Sequence, residues 1–423
     1  MFAGKSSVCL KMSKSLYICY FGVREALVQT QVIPYLLEIA KDNIGITLLT
    51  FEPDLKTKWP PEQIEKERAA LAEKGIKWLC LAYHKRPSVP ATAYDIFSGA
   101  WYISRLLRKE KYDILHGRVH IPTLMGALAR KLSKHKPKLL FDIRGFFPEE
   151  YTDAGVWPEG GWLYRSAKRV EAWLLDEADG FVVLTEKARE ILFPESKETG
   201  FDEEGRPVEV IPCCVDLERF KTANEWSRRE VRAELGIGDR KVIAYAGSFG
   251  GWYLTKEMLD FFEAAREHDP NTFILILTQR DVERVTKLLA ERGFRENDYF
   301  VGSVTAGELP RYLSAADIAI SFIKACYSKL SSSPTKIAEY LASGLPIVAN
   351  TGVGDVDSVN RDNEVGKLIE VLDDEGLDQG LKEIWNLQDI GEKCRVTAQK
   401  EFDISSVGGR RYRRLYQQLF SGG

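Results

Sequence analysis

Cysteine is scarce in this 423-residue chain, with seven residues in all. They are Cys9, Cys19, Cys80, Cys213, Cys214, Cys326 and Cys394, odd in number and scattered. That pattern is no disulfide framework, and no CxxC or Cys/His spacing offers a zinc site. A reduced, cytoplasmic chain is the expectation. An excess of one charge is also missing: 59 Lys+Arg stand against 62 Asp+Glu, a net −3. So even a balance argues against a nucleic-acid partner. No run approaches the ~18–20 apolar residues of a spanning helix. The opening MFAGKSSVCLKMSKS is polar and lacks the apolar centre of a signal peptide. An integral membrane protein is therefore not expected.

What the chain does have is alternation. Short apolar runs at 16–21, 46–50, 114–116, 139–143, 180–184 and 209–211 are separated by longer helical patterns. A second series follows at 241–246, 272–277, 299–301, 318–321, 346–349 and 366–369. Strands of that length between helices of ~10–15 residues predict parallel sheets built from right-handed βαβ units. The length also exceeds one typical domain. The fold class expected is α/β, with two doubly wound Rossmann-like domains facing across a cleft. Residues 1–205 form the first domain, 206–402 the second, and 403–423 a terminal helix packing back on the first. In that helix Tyr412, Leu415, Tyr416 and Leu419 have the i, i+3, i+4 spacing of a core-facing stripe, although the pattern RRYRRLYQQLF also reads as a basic amphipathic membrane helix.

The most informative stretch is SSSPTKIAEYLASGLPIVA, residues 331–349. It reads as a polar loop, a helix capped by Ser333 with Pro334 in first position, a left-handed Gly344 and a buried strand. A helix opening after a Ser-rich loop offers free N–H groups and a positive dipole end to a phosphate. Glu339 follows on the same helix, where a carboxylate can accept hydrogen bonds from sugar hydroxyls. The ligand implied is a nucleoside diphosphate.

The segment PTKIAEYLASGLPIVANTGVGD resembles the donor-site signature of glycosyltransferase family 4, retaining enzymes on the GT-B fold that use nucleotide sugars. That family carries two Glu residues eight positions apart here. The second matches Glu339 and the first falls on Ser331. The resemblance implies that Glu339 binds the donor ribose, with Ser332, Ser333 and Thr335 near the diphosphate. Thr278 and residues 301–303 lie at strand ends suited to the base. The loop AGSFGGW (246–252) occupies the place of a family loop whose Arg and Lys bind the diphosphate. Ser248 stands at the Arg position and Lys256 comes two residues late, so Lys256, Arg280 and Lys329 are the candidate cations. Gly247, Gly250 and Gly251 let backbone approach an anion closely; a plain Gly-rich turn reads equally well.

Further matches lie along the chain. VEVIPCCVDLERF (208–220) resembles the family's interdomain segment, with Cys213-Cys214 as small hinge residues; adjacent cysteines are poor disulfide partners. In LLFDIRGFFP (139–148), Asp142 and Arg144 form either a functional pair or a structural ion pair, and the resemblance aligns Arg144 with a family His. Arg cannot act as a base but can bind phosphate or an acidic group. His116 and His120 also sit at a strand end, without the HExxH pattern of a metal site; one of them facing the cleft and a merely structural role read equally well. The catalytic candidates are thus Asp142, Arg144 and His120. Gly22, Arg24, His116, Glu149 and Glu150 are the acceptor-side candidates. Gly22 is the one glycine in a turn the family makes Gly-rich.

Together these readings predict a metal-independent, hexosyl- or N-acetylhexosaminyl-type glycosyltransferase without a resident cofactor, a UDP-sugar being its co-substrate. The acceptor would be a sugar, a lipid-linked molecule or another small molecule, in polysaccharide or glycoconjugate synthesis. The alternatives are an epimerase or hydrolase of the same fold, or a binding partner that has lost catalysis. Lys131, Lys134, Lys136 and Lys138 suggest a peripheral contact with the inner face of a membrane; a charge run is also an ordinary solvated face.

Overall fold

The computed structural model describes residues 13–387 and 389–421. The N-terminal segment, with Cys9, lies outside them. Thirteen strands are found among the described residues, in two sheets. They are β1 (Lys14–Cys19), β2 (Gly45–Pro53), β3 (Ile76–Tyr83), β4 (Ile114–Arg118), β5 (Lys138–Asp142), β6 (Gly180–Val183) and β7 (Val208–Val210). Then follow β8 (Val242–Ala246), β9 (Phe273–Leu277), β10 (Tyr299–Gly302), β11 (Ile318–Ser321), β12 (Ile347–Asn350) and β13 (Gly366–Ile369).

The sheet orders are β3-β2-β1-β4-β5-β6-β7 and β10-β9-β8-β11-β12-β13. Pairing is parallel in register from Lys14↔Gly45 in the first and Val242↔Phe273 in the second. Each order reverses direction once, beside β1 and beside β8, as doubly wound α/β sheets do. Ligands of such sheets bind at the carboxyl ends of the strands next to that reversal. In the second sheet that place is the turn after Ala246.

Twelve of the thirteen strands fall within a few residues of the expected apolar runs; β3 was not foreseen. It is an edge strand with Lys77 exposed and most of its length half-buried, so it lacks the buried run of a central strand.

By internal contacts the chain divides into two compact units. One comprises Met1–Ile143, Arg169–Phe181 and Tyr412–Gly423, the other Arg144–Lys168 and Val182–Arg411. In the second unit both sheet faces are covered. Val242, Ala244 and Ala246 point to one apolar cluster, and Ile243 and Tyr245 to the other, as the period-two geometry of a strand requires. Ile337, Ala338, Tyr340 and Leu341 join the first cluster, which fixes the face that helix Thr335–Ala342 presents to the sheet.

In the first unit the helix Arg410–Ser421 buries Tyr412, Leu415, Tyr416 and Leu419. Its Tyr412 hydroxyl donates to Asp142 Oδ2 at 2.9 Å. The Tyr416 hydroxyl lies 2.9 Å from His116 Nδ1 and 3.0 Å from Ser15 Oγ. Tyr416→Phe strips one oxygen from a fully buried polar group and leaves two partners short. We expect it to lower unfolding stability by about 1–3 kcal/mol, read from denaturant melts.

Candidate active site

Helix Thr335–Ala342 begins one residue later than its sequence suggests. Pro334 takes the capping position and no side chain caps the helix. The Ser333 hydroxyl accepts a hydrogen bond from the Cys213 amide at 3.0 Å instead, a tertiary partner overriding the local one. The far end follows expectation. Gly344 has φ +79°, its amide bonds to the Leu341 carbonyl, and the Leu345 amide bonds to the Tyr340 carbonyl, which closes the last turn.

Tyr340 anchors the helix to the sheet. Its hydroxyl accepts from the amide of Ala246, the last residue of β8, at 2.7 Å. Lys336, one turn earlier, is thereby carried to the turn after β8. Its ammonium lies 4.1 Å from the centre of the Tyr245 ring and 4.0 Å from that of Tyr253. Gly247 there has φ +143°, and a Cβ on it would stand 2.8 Å from Lys336 Nζ. The ammonium is buried, and no described residue accepts a hydrogen bond from it. Burial pushes its pKa down to about 7, with Glu339 pulling the other way. Glu339 shows the mirror effect: burial pushes its carboxyl up to about 7, against the attraction of Arg219 and Lys336. Two groups of opposite charge, one turn apart, are thus held near the midpoint of their titrations beside a turn that only glycine fits.

The rest of the glycine loop is self-supporting. The Tyr245 hydroxyl donates to the Ser248 carbonyl at 2.5 Å, and the Gly250 amide donates to Thr255 Oγ1 at 2.9 Å. Gly250 and Gly251 both take positive φ, +81° and +63°. Lys256 lies on the outside, exposed and paired with Asp260 at 2.7 Å. Thr278 is buried and donates to the Arg280 carbonyl at 2.7 Å, while the Arg280 side chain is exposed.

The Ser-rich loop is tied to the segment 144–168 within the same unit. Ser331 is buried; its hydroxyl accepts from the Phe146 amide at 3.0 Å and donates to the Ser328 carbonyl at 2.7 Å. Lys329 is buried, 2.9 Å from Glu150 and 3.9 Å over the Trp252 ring. Glu149 pairs with Lys168 at 3.0 Å and accepts from Tyr164 at 3.1 Å. Arg144 reaches Cys213 Sγ at 3.8 Å. Ser332 and Thr335 are half-buried at the helix start.

In the first unit Asp142 lies 3.4 Å from His116 and 3.9 Å from Arg118, besides its bond from Tyr412. His120 is buried with its Nε2 2.8 Å from Glu171. Gly22 permits a close approach: a Cβ on it would come within 2.8 Å of Glu52 Oε2. Arg24 stacks 4.0 Å over Trp59 and bonds to Glu67 at 3.3 Å. Asp142 and His116 are therefore brought together, as are Lys329 and Glu150.

Sequence reasoning missed Lys336, Tyr245 and Tyr253. A signal for the lysine was present: a lone cation three residues before Glu339, in an otherwise apolar turn.

Two family models match the chain, Glycosyltransferase Family 4 over residues 52–219 and Glycosyl transferases group 1 over residues 227–401. A search of the curated proteins finds no similar sequence. Among solved structures, a glycosyltransferase from Rickettsia africae aligns at TM-score 0.68 and 16% identity, covering 98% of this chain and 100% of that one. Sucrose-phosphate synthase from Thermosynechococcus elongatus aligns at TM-score 0.70 and 17% identity, covering 97% and 100%. Anabaena Alr3699/HepE, in complex with UDP and glucose, aligns at TM-score 0.65 and 15% identity, covering 97% and 100%. At such identities these structures share the fold. The two family models, sheet orders of the doubly wound type and the signature helix after the Ser-rich loop make one conclusion: the chain belongs to glycosyltransferase family 4, on the GT-B fold.

Proposed function

We propose that this glycosyltransferase takes its sugar from a UDP-sugar of the hexose or N-acetylhexosamine class. It transfers that sugar to an acceptor hydroxyl with retention, in glycoconjugate or polysaccharide synthesis. The observation that carries the donor assignment is Lys336: a buried ammonium without a hydrogen-bond acceptor among the described residues, between two tyrosine rings and beside the Gly247 turn. Such a cation costs folding energy unless an anion is to meet it. The helix start at Thr335 adds free amides for the same anion. Glu339, on the same helix, holds the ribose hydroxyls.

In the reaction the bond from the anomeric carbon to the diphosphate oxygen breaks and a bond from that carbon to the acceptor oxygen forms. The acceptor proton passes to the departing diphosphate, so no enzymic nucleophile is required. Lys336 and the helix amides stabilise the charge growing on the leaving group, the work a divalent metal does in other transferases. Asp142, Arg144 and His120 remain the catalytic candidates. Gly22, Arg24, His116, Glu149 and Glu150 remain those for the acceptor. The domain limits proposed are 1–205, 206–402 and 403–423, in a cytoplasmic protein with a peripheral membrane contact.

The test is calorimetric titration of UDP, GDP and ADP into the protein and its Glu339→Ala variant. Saturable binding of UDP, weakened by about 1.5–3 kcal/mol in the variant, is expected for the loss of a charged hydrogen bond. Equal affinity in both proteins would remove Glu339 from the site.

A further inference from the structure

We infer that the helix Ser88–Lys109 is the part of this protein that lies on a membrane, and that the surface it meets is an anionic lipid bilayer. The inference rests on the peripheral contact proposed above and is independent of the donor site. Tyr94, Phe97 and Trp101 are 61%, 69% and 56% exposed. They stand at i, i+3 and i+7, one stripe along one helix face. Large aromatics exposed together mark a surface that is covered in use.

Charge selects what covers it. The same stripe continues into exposed Arg105 and Arg108, with Lys109 beside them, and Lys85 and Arg86 are exposed just before the helix. The Arg105 guanidinium lies 4.6 Å over the Trp101 ring, so an aromatic and a cation are presented as one unit. The only acid on the helix, Asp95, faces inward. It is fully buried, accepting from the Tyr20 hydroxyl at 2.7 Å and the His84 amide at 2.9 Å. A face of aromatics and cations without acid suits the boundary between anionic headgroups and acyl chains, where rings sit at headgroup level and cations reach phosphates.

The lysine run at 131–138 is less suited. Lys131 and Lys138 pair with Glu177 and Asp179, and Lys136 donates to the carbonyls of Arg130 and Lys131.

The test is co-sedimentation with vesicles of phosphatidylcholine alone or mixed with phosphatidylglycerol. It compares the full-length protein with Phe97→Ser/Trp101→Ser and with Lys131→Ala/Lys134→Ala/Lys136→Ala. Both variants alter exposed side chains, and unchanged melting and UDP affinity would establish that they are folded. We expect the native protein to bind the mixed vesicles and not the neutral ones. The aromatic variant should bind at least ~10-fold more weakly, and the lysine variant like native. Three results would overturn the inference. If only the lysine variant loses binding, the peripheral contact stands and this face is wrong. If the native protein binds neither vesicle, both fall. If it binds neither and elutes as a dimer that the aromatic variant abolishes, the face belongs to a second copy of the chain.

Discussion

Lys336→Met will make the protein more stable and all but inactive. The two effects share one cause. The ammonium is buried between Tyr245 and Tyr253 with no hydrogen-bond acceptor among the described residues, and its pKa is held down to about 7. The tyrosine rings return part of the desolvation cost by cation–π attraction, ~1–2 kcal/mol. Methionine has similar length, keeps the ring contacts and removes the charge. Glu339 is not stranded by the change, because its carboxyl, already pushed up to about 7, takes up a proton. A gain of about 1–2 kcal/mol in unfolding stability follows, of the size found when buried charges give way to apolar isosteres. Catalysis should suffer in proportion to what the cation does for the leaving group. Losing one preorganised donor of this kind costs ~10²–10³ in kcat. A lysine that merely filled space would give the stability gain without the loss of activity.

Nucleotide affinity will fall as pH rises above neutrality. Near pH 8 most of the free protein carries Lys336 as the neutral amine, since its pKa is about 7. In the proposed donor site a diphosphate is held by the ammonium, so binding must draw a proton from solution. The sign follows from linkage: the bound form holds the extra proton, and affinity drops by up to about tenfold per pH unit between the free and bound pKa values. Glu339 opposes this only in part, because its ionisation near pH 7 raises the lysine's own pKa. Calorimetry in buffers of different ionisation enthalpy will show the proton uptake directly. Lys336→Arg, which keeps its charge at any accessible pH, should remove the uptake and the part of the pH slope that Lys336 supplies.

The same values shape stability. Lys336 has a folded pKa below its ordinary value of 10.5, so the unfolded chain holds the additional proton and stability rises with pH between about 7 and that value. Glu339, raised from 4.5, holds its proton in the fold, and stability falls as pH rises from there to about 7. The two groups together set a stability minimum near neutrality.

Much of this was legible in the sequence because it rests on local rules. The alternation of short apolar runs and helical patterns located twelve of the thirteen strands, most of them buried along their length. Gly344 was readable because a left-handed residue after a helix has few other candidates, and Ile337, Ala338 and Leu341 because one helix face must meet the sheet. What escaped was set by contacts distant in sequence. Ser333 looks like a helix cap until the Cys213 amide, 120 residues away, takes its hydroxyl. Lys256 comes two residues late for a phosphate-binding lysine in its loop, and the helix whose first turn holds it turns it outward to Asp260. Lys336 arrives at the same glycine turn from the other side, carried there by the bond between Tyr340 and Ala246. A loop alignment cannot see a residue supplied by a different element.

The measurement that tests the central claim most directly is calorimetric titration of UDP into the native protein and Lys336→Met near neutral pH, with melting curves of both. The account predicts saturable binding by the native protein, at least ~10-fold weaker binding by the variant, and a higher melting temperature for the variant. Equal UDP affinity in the two proteins would contradict it, and the cation at the Gly247 turn would then have no part in holding the donor.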